Sequence, residues 1–505
     1  MGSSPAETKK LISALADWKV IAGILCTYGL FKEFKPIEPY LYRYHQFYMN
    51  ISREDLNAKV YPIWTYSYLM FLIPALLLTD LLLYKPILLV ESCSYITVWL
   101  LLIYGRSIRD QQFGQLLYGC ATATEIAYFA YIYVKVDRTK FARVTVWTRA
   151  ALQVGRCLAY YSSQLVILLE WGDLLTLNYI SLASVSLTLI FALALPFVGW
   201  RTVVDVDAHV AAEEKAKQLQ SLQLHLQQKL QYCTAAETHS DSSSSSSAST
   251  GRRRTPTLES GINAAPHIAP LPCDASSAGP RTYAQFVIYR IRQFRVAITH
   301  GLVYQPTVLK WSIWWALSTC GDLQIGNYIQ TLWGETQKEM HESEVYNGFV
   351  EGTIPLLASL ALLSLQKPRV DWGRWGELCL TIAAFAQALS LWVMAVANNV
   401  YVMYACYAVF RVLYQCMITI AQFNIICLTG ANTCGFVFGV NMFLAVLFQA
   451  LLTFLFVDEH GPYALTIRSQ FHVYAAYHVA IAFIFFAFLT GVGVARYRRK
   501  ATTIP

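Results

Sequence analysis

Apolar runs of about 20 residues recur along the whole of this chain, each long enough to cross a hydrocarbon core of roughly 30 Å. A bilayer holds no water to satisfy backbone N–H and C=O groups, so such runs must fold as helices. Twelve are read, over residues 18–34, 61–82, 86–105, 112–134, 145–169, 174–197, 307–333, 345–366, 373–396, 398–429, 433–457 and 469–495. The polar stretch 200–303 divides them six and six. Composition agrees, with 56% of the 505 residues hydrophobic and 14% charged, where an ordinary soluble domain has about a quarter charged. The expected fold is an all-α polytopic membrane protein. Its regions are a six-helix bundle (1–200), a central loop (201–303), a second bundle (304–495) and a basic tail (496–505).

Loop charge predicts orientation. Lys135, Arg138, Lys140 and Arg143, then Lys367, Arg369 and Arg374, then Arg496, Arg498, Arg499 and Lys500 fall on one side. Glu170, Asp173 and the acidic stretch 335–344 fall on the other, and Arg106 and Arg109 run against the trend. Both termini and the central loop are therefore expected in the cytoplasm. The sequon Asn50-Ile51-Ser52 falls in the first outside loop and makes Asn50 a candidate glycosylation site. No cleavable leader is expected, because the chain begins polar and its first apolar run lacks a small-residue cleavage site. "MGSSPA" has Ala6 where myristoylation wants Ser or Thr. The twelve cysteines are scattered without CxxC or clustered His, so neither a metal site nor a disulfide framework is expected.

Within the central loop, Leu219, Leu222, Leu226 and Leu230 share a helix face, and "SSSSSSAST" followed by "RRRTP" reads as linker. Residues Gln285–Thr299 are basic and amphipathic, suited to a helix at the lipid surface.

The chain's two halves carry matching landmarks. Lys85-Pro86 and Lys367-Pro368 follow the second span of each; "LCTYG" at Leu25 matches "LSTCG" at Leu317. "YGCATATEIAY" at Tyr118 aligns with "YACYAVFRVLY" at Tyr404, which sets Glu125 opposite Arg411. A two-fold along the membrane normal then predicts that Glu125 and Arg411 face one another and form an ion pair.

Polar groups recur at membrane depth: Arg149, Gln153, Arg156, Tyr160 and Gln164 on one face of the fifth span, Arg411, Gln415, Thr419 and Gln422 on the tenth. Asp322, Asn327, Asn347, Glu351, Asn441 and Gln449 add to them. Such residues must pair or line a hydrated path. Single residues are accounted for equally by interhelical pairs, the whole set better by a substrate path. Trp64, Tyr66, Tyr128, Phe129, Trp314 and Trp315 surround the acids, and a carboxylate beside aromatic faces suits an organic cation. Core packing explains Trp314 and Trp315 better. Neither paired catalytic carboxylates in a polar pocket nor a nucleotide loop is present, and a receptor would call for seven spans. No enzymatic activity, cofactor or nucleic-acid partner is expected.

The stretches "EPYLYRY", "YPIWTYSYL", "LLTDLLLYKP", "EIAYFAYIY", "LNYISLASVS", "WSIWWAL", "VYNG", "YAVFRVLYQ" and "VFGVN" resemble the reduced folate and thiamine carriers, solute carrier family 19, over both halves. The resemblance implies the 6+6 major facilitator fold, a vitamin substrate held between the halves, alternating access at the plasma membrane, and a proton or organic anion as coupling species. It also bears on the vitamin. The folate branch has Arg where Glu125 stands and Lys where Gln449 stands, whereas the thiamine branch has Glu and Gln. By this carry-over Glu38, Trp64, Glu125, Tyr128, Asn327 and Glu351 match the pattern around bound thiamine, a permanent cation. The alternative is a folate carrier using Arg149, Arg156 and Arg411. Arg156 and Asp322 depart from the family, and are expected either to pair with each other or, for Arg156, to read an anionic group.

Overall fold

The computed structural model describes residues 18–136, 140–204, 219–220, 223, 282–301, 306–340, 345–365, 372–429 and 431–502. The leucine series beyond Leu219, the Ser-rich linker, "RRRTP" and "MGSSPA" lie outside the described residues.

Among the described residues the regular structure is helical throughout. The first half comprises α1 (Trp18–Glu33), α2 (Tyr61–Leu81), α3 (Lys85–Tyr104), α4 (Ile108–Thr124), α5 (Ile126–Lys135), α6 (Phe141–Leu168) and α7 (Leu174–Ala194). The amphipathic stretch forms α8 (Tyr283–Gly301). The second half comprises α9 (Pro306–Glu339), α10 (Asn347–Leu365), α11 (Trp372–Val396), α12 (Val400–Thr429), α13 (Ala431–Phe456) and α14 (Ile467–Thr502). The fourth expected span is two helices, α4 and α5, broken at Glu125.

Local chemistry sets these boundaries. Ser107 and Asp110 cap α4 reciprocally, and Asp173 with Thr176 does the same for α7. Leu83 and Tyr84 turn the chain at φ 63 and 70° before Lys85-Pro86 starts α3. Lys85 then donates to the carbonyls of Leu193 and Leu195 at 2.8 and 2.6 Å, which ties the start of α3 to the end of α7.

Among the described residues, seven helices are long and apolar enough to cross a membrane. They begin at Arg53, Lys85, Leu174, Trp375, Val400, Val437 and Ile467. The remaining rods, α1, α4–α5, α6, α9 and α10, carry Lys32, Glu33, Glu125, Arg156, Asp322 and Glu351. α1, α4, α5 and the apolar stretch of α10 are shorter than 18 residues, while α6 and α9 are long but less apolar, because they carry polar side chains inward.

The described residues within 1–199 and 290–505 form one compact unit, and those within 200–289 form another, in which Trp200 packs on Phe286. In the first unit α1 lies against α6 and α7, α4 against α2 and α3, α9 against α12 and α13, and α11 against α14. The halves meet along α6–α10 and α2–α13.

Candidate functional site

Two glycines decide how α1 sits. A Cβ at Gly155 would overlap the backbone of Leu30, whose Cα and carbonyl C would lie 3.0 and 3.1 Å away, so only glycine lets α6 approach α1 this closely. One helical turn beyond Leu30, that approach brings Arg156 onto Glu33, with Nε and a terminal nitrogen 3.0 and 2.7 Å from one carboxylate oxygen. Gly29 likewise leaves room for Tyr128, whose ring lies 3.2 Å from the place of a Cβ.

The carboxyl end of α1 thus brings two charged residues inside. Lys32 bridges Glu91 of α3 at 2.6 Å and Glu125 at 3.1 Å. Lys32 and Glu91 are closed off, with side chains 1% and 0% exposed, while Glu125 is 33% exposed. Just beyond α1, Lys35 pairs with Glu38 at 2.6 Å, and the hydroxyls of Tyr118 and Tyr160 donate to Glu38 at 2.7 and 2.8 Å. The rings of Tyr95, Trp99 and Tyr118 lie within 6 Å of the Lys35 ammonium, at 5.0, 5.8 and 5.5 Å.

In the second half Arg411 of α12 is ion-paired with Asp322 of α9, their side chains 26% and 10% exposed. Glu351 of α10 accepts from the Tyr407 hydroxyl at 3.0 Å. Asn327 is half-buried, its amide beside the Tyr328 hydroxyl. Gln449 is fully buried, its amide without a partner among the described residues.

Two pairings expected from sequence are corrected. Glu125 is partnered by Lys32, not Arg411, and Arg156 by Glu33, not Asp322. In each bundle a counter-ion on a neighbouring helix lies nearer than anything across the two-fold. Sequence reading passed over Lys32, Glu33, Lys35 and Glu91 because the first three stand at the edge of an apolar run. The signal was available: Glu91 is a lone acid in the third span, and a base at the very end of a neighbouring span, as Lys32 is, could meet it.

Other candidates fall variously. Trp64 stays partly exposed and donates to Thr122 at 3.3 Å, one turn before Glu125. Tyr128 turns into the bundle, fully buried, stacked on Tyr28 at 5.5 Å and donating to the Leu25 carbonyl at 2.9 Å. Arg149 is exposed, its guanidinium over Phe129 at 5.5 Å. Asn50 is exposed at φ 53°. No group of three or more His, Cys, Asp or Glu with metal-site geometry occurs among the described residues.

Two bundles of six helical rods each, closed around acidic and basic side chains, give the 6+6 architecture of the major facilitator type. The crystal structure of a POT family transporter in complex with 5-aminolevulinic acid is similar across 93% of this chain and 96% of its own (TM-score 0.56, 11% identity), a likeness of fold. The pattern of the reduced folate carrier family matches residues 16–255 and 282–473, and the chain belongs to that family. Among its relatives are Folate-like transporter 3 of Caenorhabditis elegans, 39% identical over 93% of this chain and 96% of the relative. Thiamine transporter 1 of Mus musculus and Folate transporter 1 of C. elegans are each 33% identical, over 93% of this chain and 89% and 91% of the relative.

Proposed function

We propose that this carrier moves a cationic vitamin, thiamine foremost, across the plasma membrane by alternating access, with both termini and the central loop cytoplasmic. Relatives named for folate match at 39 and 33% identity and one named for thiamine at 33%, so overall likeness does not select thiamine and the choice is read from the charges. Among the described residues, Glu33 is matched by Arg156, Glu38 by Lys35 and Asp322 by Arg411, while Glu91 and Glu125 share Lys32, and Glu351 accepts from Tyr407 and feels only the charge of bases already paired, Arg411 foremost. Two carboxylates are therefore in excess, one in the Glu91–Glu125 couple and the other Glu351. This excess is the observation that carries the reading.

A buried net negative charge is costly unless a cation or a proton joins it. A thiazolium resting on Glu125 beneath Trp64 would balance one charge, and a proton on Glu351 the other. That makes a proton a natural coupling species, with an organic anion as the alternative exchange partner. In this reading Asn327 would read the substrate's hydrogen-bonding edge, and Glu38, bonded by Lys35, Tyr118 and Tyr160, would hold the shape of the site. Asn50 would carry a glycan on the non-cytoplasmic face.

Uptake of radiolabelled thiamine into cells expressing the full chain tests this. Excess unlabelled thiamine should abolish it and excess folate should not, and Glu125→Gln should lower it about tenfold or more, the scale of a lost buried charge contact. Folate uptake that thiamine fails to inhibit would instead favour the second reading, a folate carrier. That reading draws on Arg156 and Arg411, whose side chains stay 36% and 26% exposed despite their partners.

A further inference from the structure

Lys32, Glu91 and Glu125 are two acids and one base in a row across three helix segments. We propose that Glu91 is a specificity-determining residue. By holding the Lys32 ammonium on the closed side of the row, it leaves Glu125 with negative charge to offer a cation on its open side. This rests on the reading of Glu125 given above.

The geometry is one-sided. Lys32 lies 2.6 Å from Glu91 and 3.1 Å from Glu125, so the fully buried acid has the shorter contact. The other oxygen of Glu91 accepts from the Tyr28 hydroxyl at 2.8 Å, and that hydroxyl sits 3.4 Å from Ser92 Oγ. Glu91 is thereby fixed in place, whereas Glu125 sits at the break between α4 and α5 with its side chain 33% exposed. A substrate that meets the exposed side of Glu125 cannot touch Lys32 or Glu91, whose side chains are 1% and 0% exposed, and their influence reaches it only through the charge left on Glu125. With Glu91 neutral, Lys32 would turn to Glu125 alone and the row would present a neutral pair. With Lys32 and Glu91 both neutral, Glu125 would again stand as an unmatched carboxylate.

Charge preference in uptake tests this in the full-length carrier. Thiamine and its uncharged deaza isostere, with carbon in place of the thiazolium nitrogen, compete against labelled thiamine, and the ratio of their inhibition constants is measured. Taking that ratio within each variant cancels differences in surface amount. Glu91→Gln should lower the wild-type preference for the cation about tenfold or more, since a neighbouring unit charge changes a carboxylate's cation affinity by about one to three powers of ten. Lys32→Met/Glu91→Gln, which leaves no buried charge unpaired behind Glu125, should restore the preference. That double variant decides the matter alone should the single one fail to reach the surface. A preference unchanged by Glu91→Gln, or lost in the double variant, overturns the role of Glu91 while leaving thiamine transport standing. A wild-type carrier that takes up no thiamine overturns both readings together.

Discussion

Gly155 carries no side chain, and the backbone of Leu30 occupies the space where one would begin. The ion pair between Glu33 and Arg156 depends on that contact, because a wider crossing of α1 and α6 would draw the two apart. Gly155→Val should therefore lower stability by about 1–3 kcal/mol, the usual cost of forcing methyl groups into packed space. Gly155→Ala should fall short of that. Thermal unfolding of the two variants in detergent checks the order; equal midpoints for valine and glycine would show the crossing to be slack. The same contact explains why the pairing of Arg156 was illegible in the sequence. Its helix face could be read from the spacing of Arg149, Gln153, Arg156, Tyr160 and Gln164. What meets that face is settled by which helix lies closest, and a single glycine settles that.

At the scale of elements, hydropathy located the helices well: residues 145–169 and 174–197 were expected, and Phe141–Leu168 and Leu174–Ala194 are found. Three features escaped it. The break at Glu125 leaves no mark in the sequence, since neither Gly nor Pro is there; a helix can open where it lines a cavity instead of lipid. Lys32 and Glu33 end α1 inside the bundle, because the following segment does not emerge into solvent. That segment, residues 34–60, is the third feature. It folds into short turns packed between the halves, with Ile37, Tyr40, Tyr44, Leu56 and Val60 fully buried.

His45 lies in this inserted segment, buried, 3.3 Å from Gln111 Oε1 and edge-on to Tyr44 and Tyr61 at 6.3 and 6.1 Å. Burial holds its imidazole down to about 4, against the usual 6.5. The packed form thus binds fewer protons than the open one, and the segment's stability is whole above pH 6.5 and declines as pH falls toward 4. The full effect is about 3 kcal/mol. Hydrogen exchange of residues 38–60 should accelerate across that window, and His45→Asn should flatten the response.

Across the whole molecule, hydrogen bonds and ion pairs between the halves gather at one end among the described residues. Tyr40 and Gln164 both donate to the Val345 carbonyl, at 3.5 and 2.7 Å; Asn347 donates to Pro39, and Gln330 to Glu38. Tyr66 reaches Asp458 at 2.7 Å, Arg53 meets Glu335 at 3.1 Å, and Thr331 reaches Asn57 at 2.9 Å. Toward the other end the halves touch through an apolar seam, with Leu76 of α2 3.2 Å from the place of a Cβ on Gly439. Polar contacts that form and break as units suit a gate, whereas an apolar seam allows sliding with little penalty. The structure is thus closed at the end bearing residues 34–60, and the alternating access proposed above would require those contacts to part.

A cross-link reads this directly. A Cβ on Gly352 would stand 3.4 Å from the Cβ of Tyr160, close to the separation of about 3.5–4.5 Å that a disulfide spans. Tyr160→Cys/Gly352→Cys should therefore oxidise readily and join the halves, so that cleavage in the central loop releases two fragments only after reduction. Oxidation should also arrest whatever uptake the variant retains, and a reductant should return it. Uptake that continues with the bridge intact would mean that the halves need not separate here, and that the gate lies elsewhere along α6 and α10.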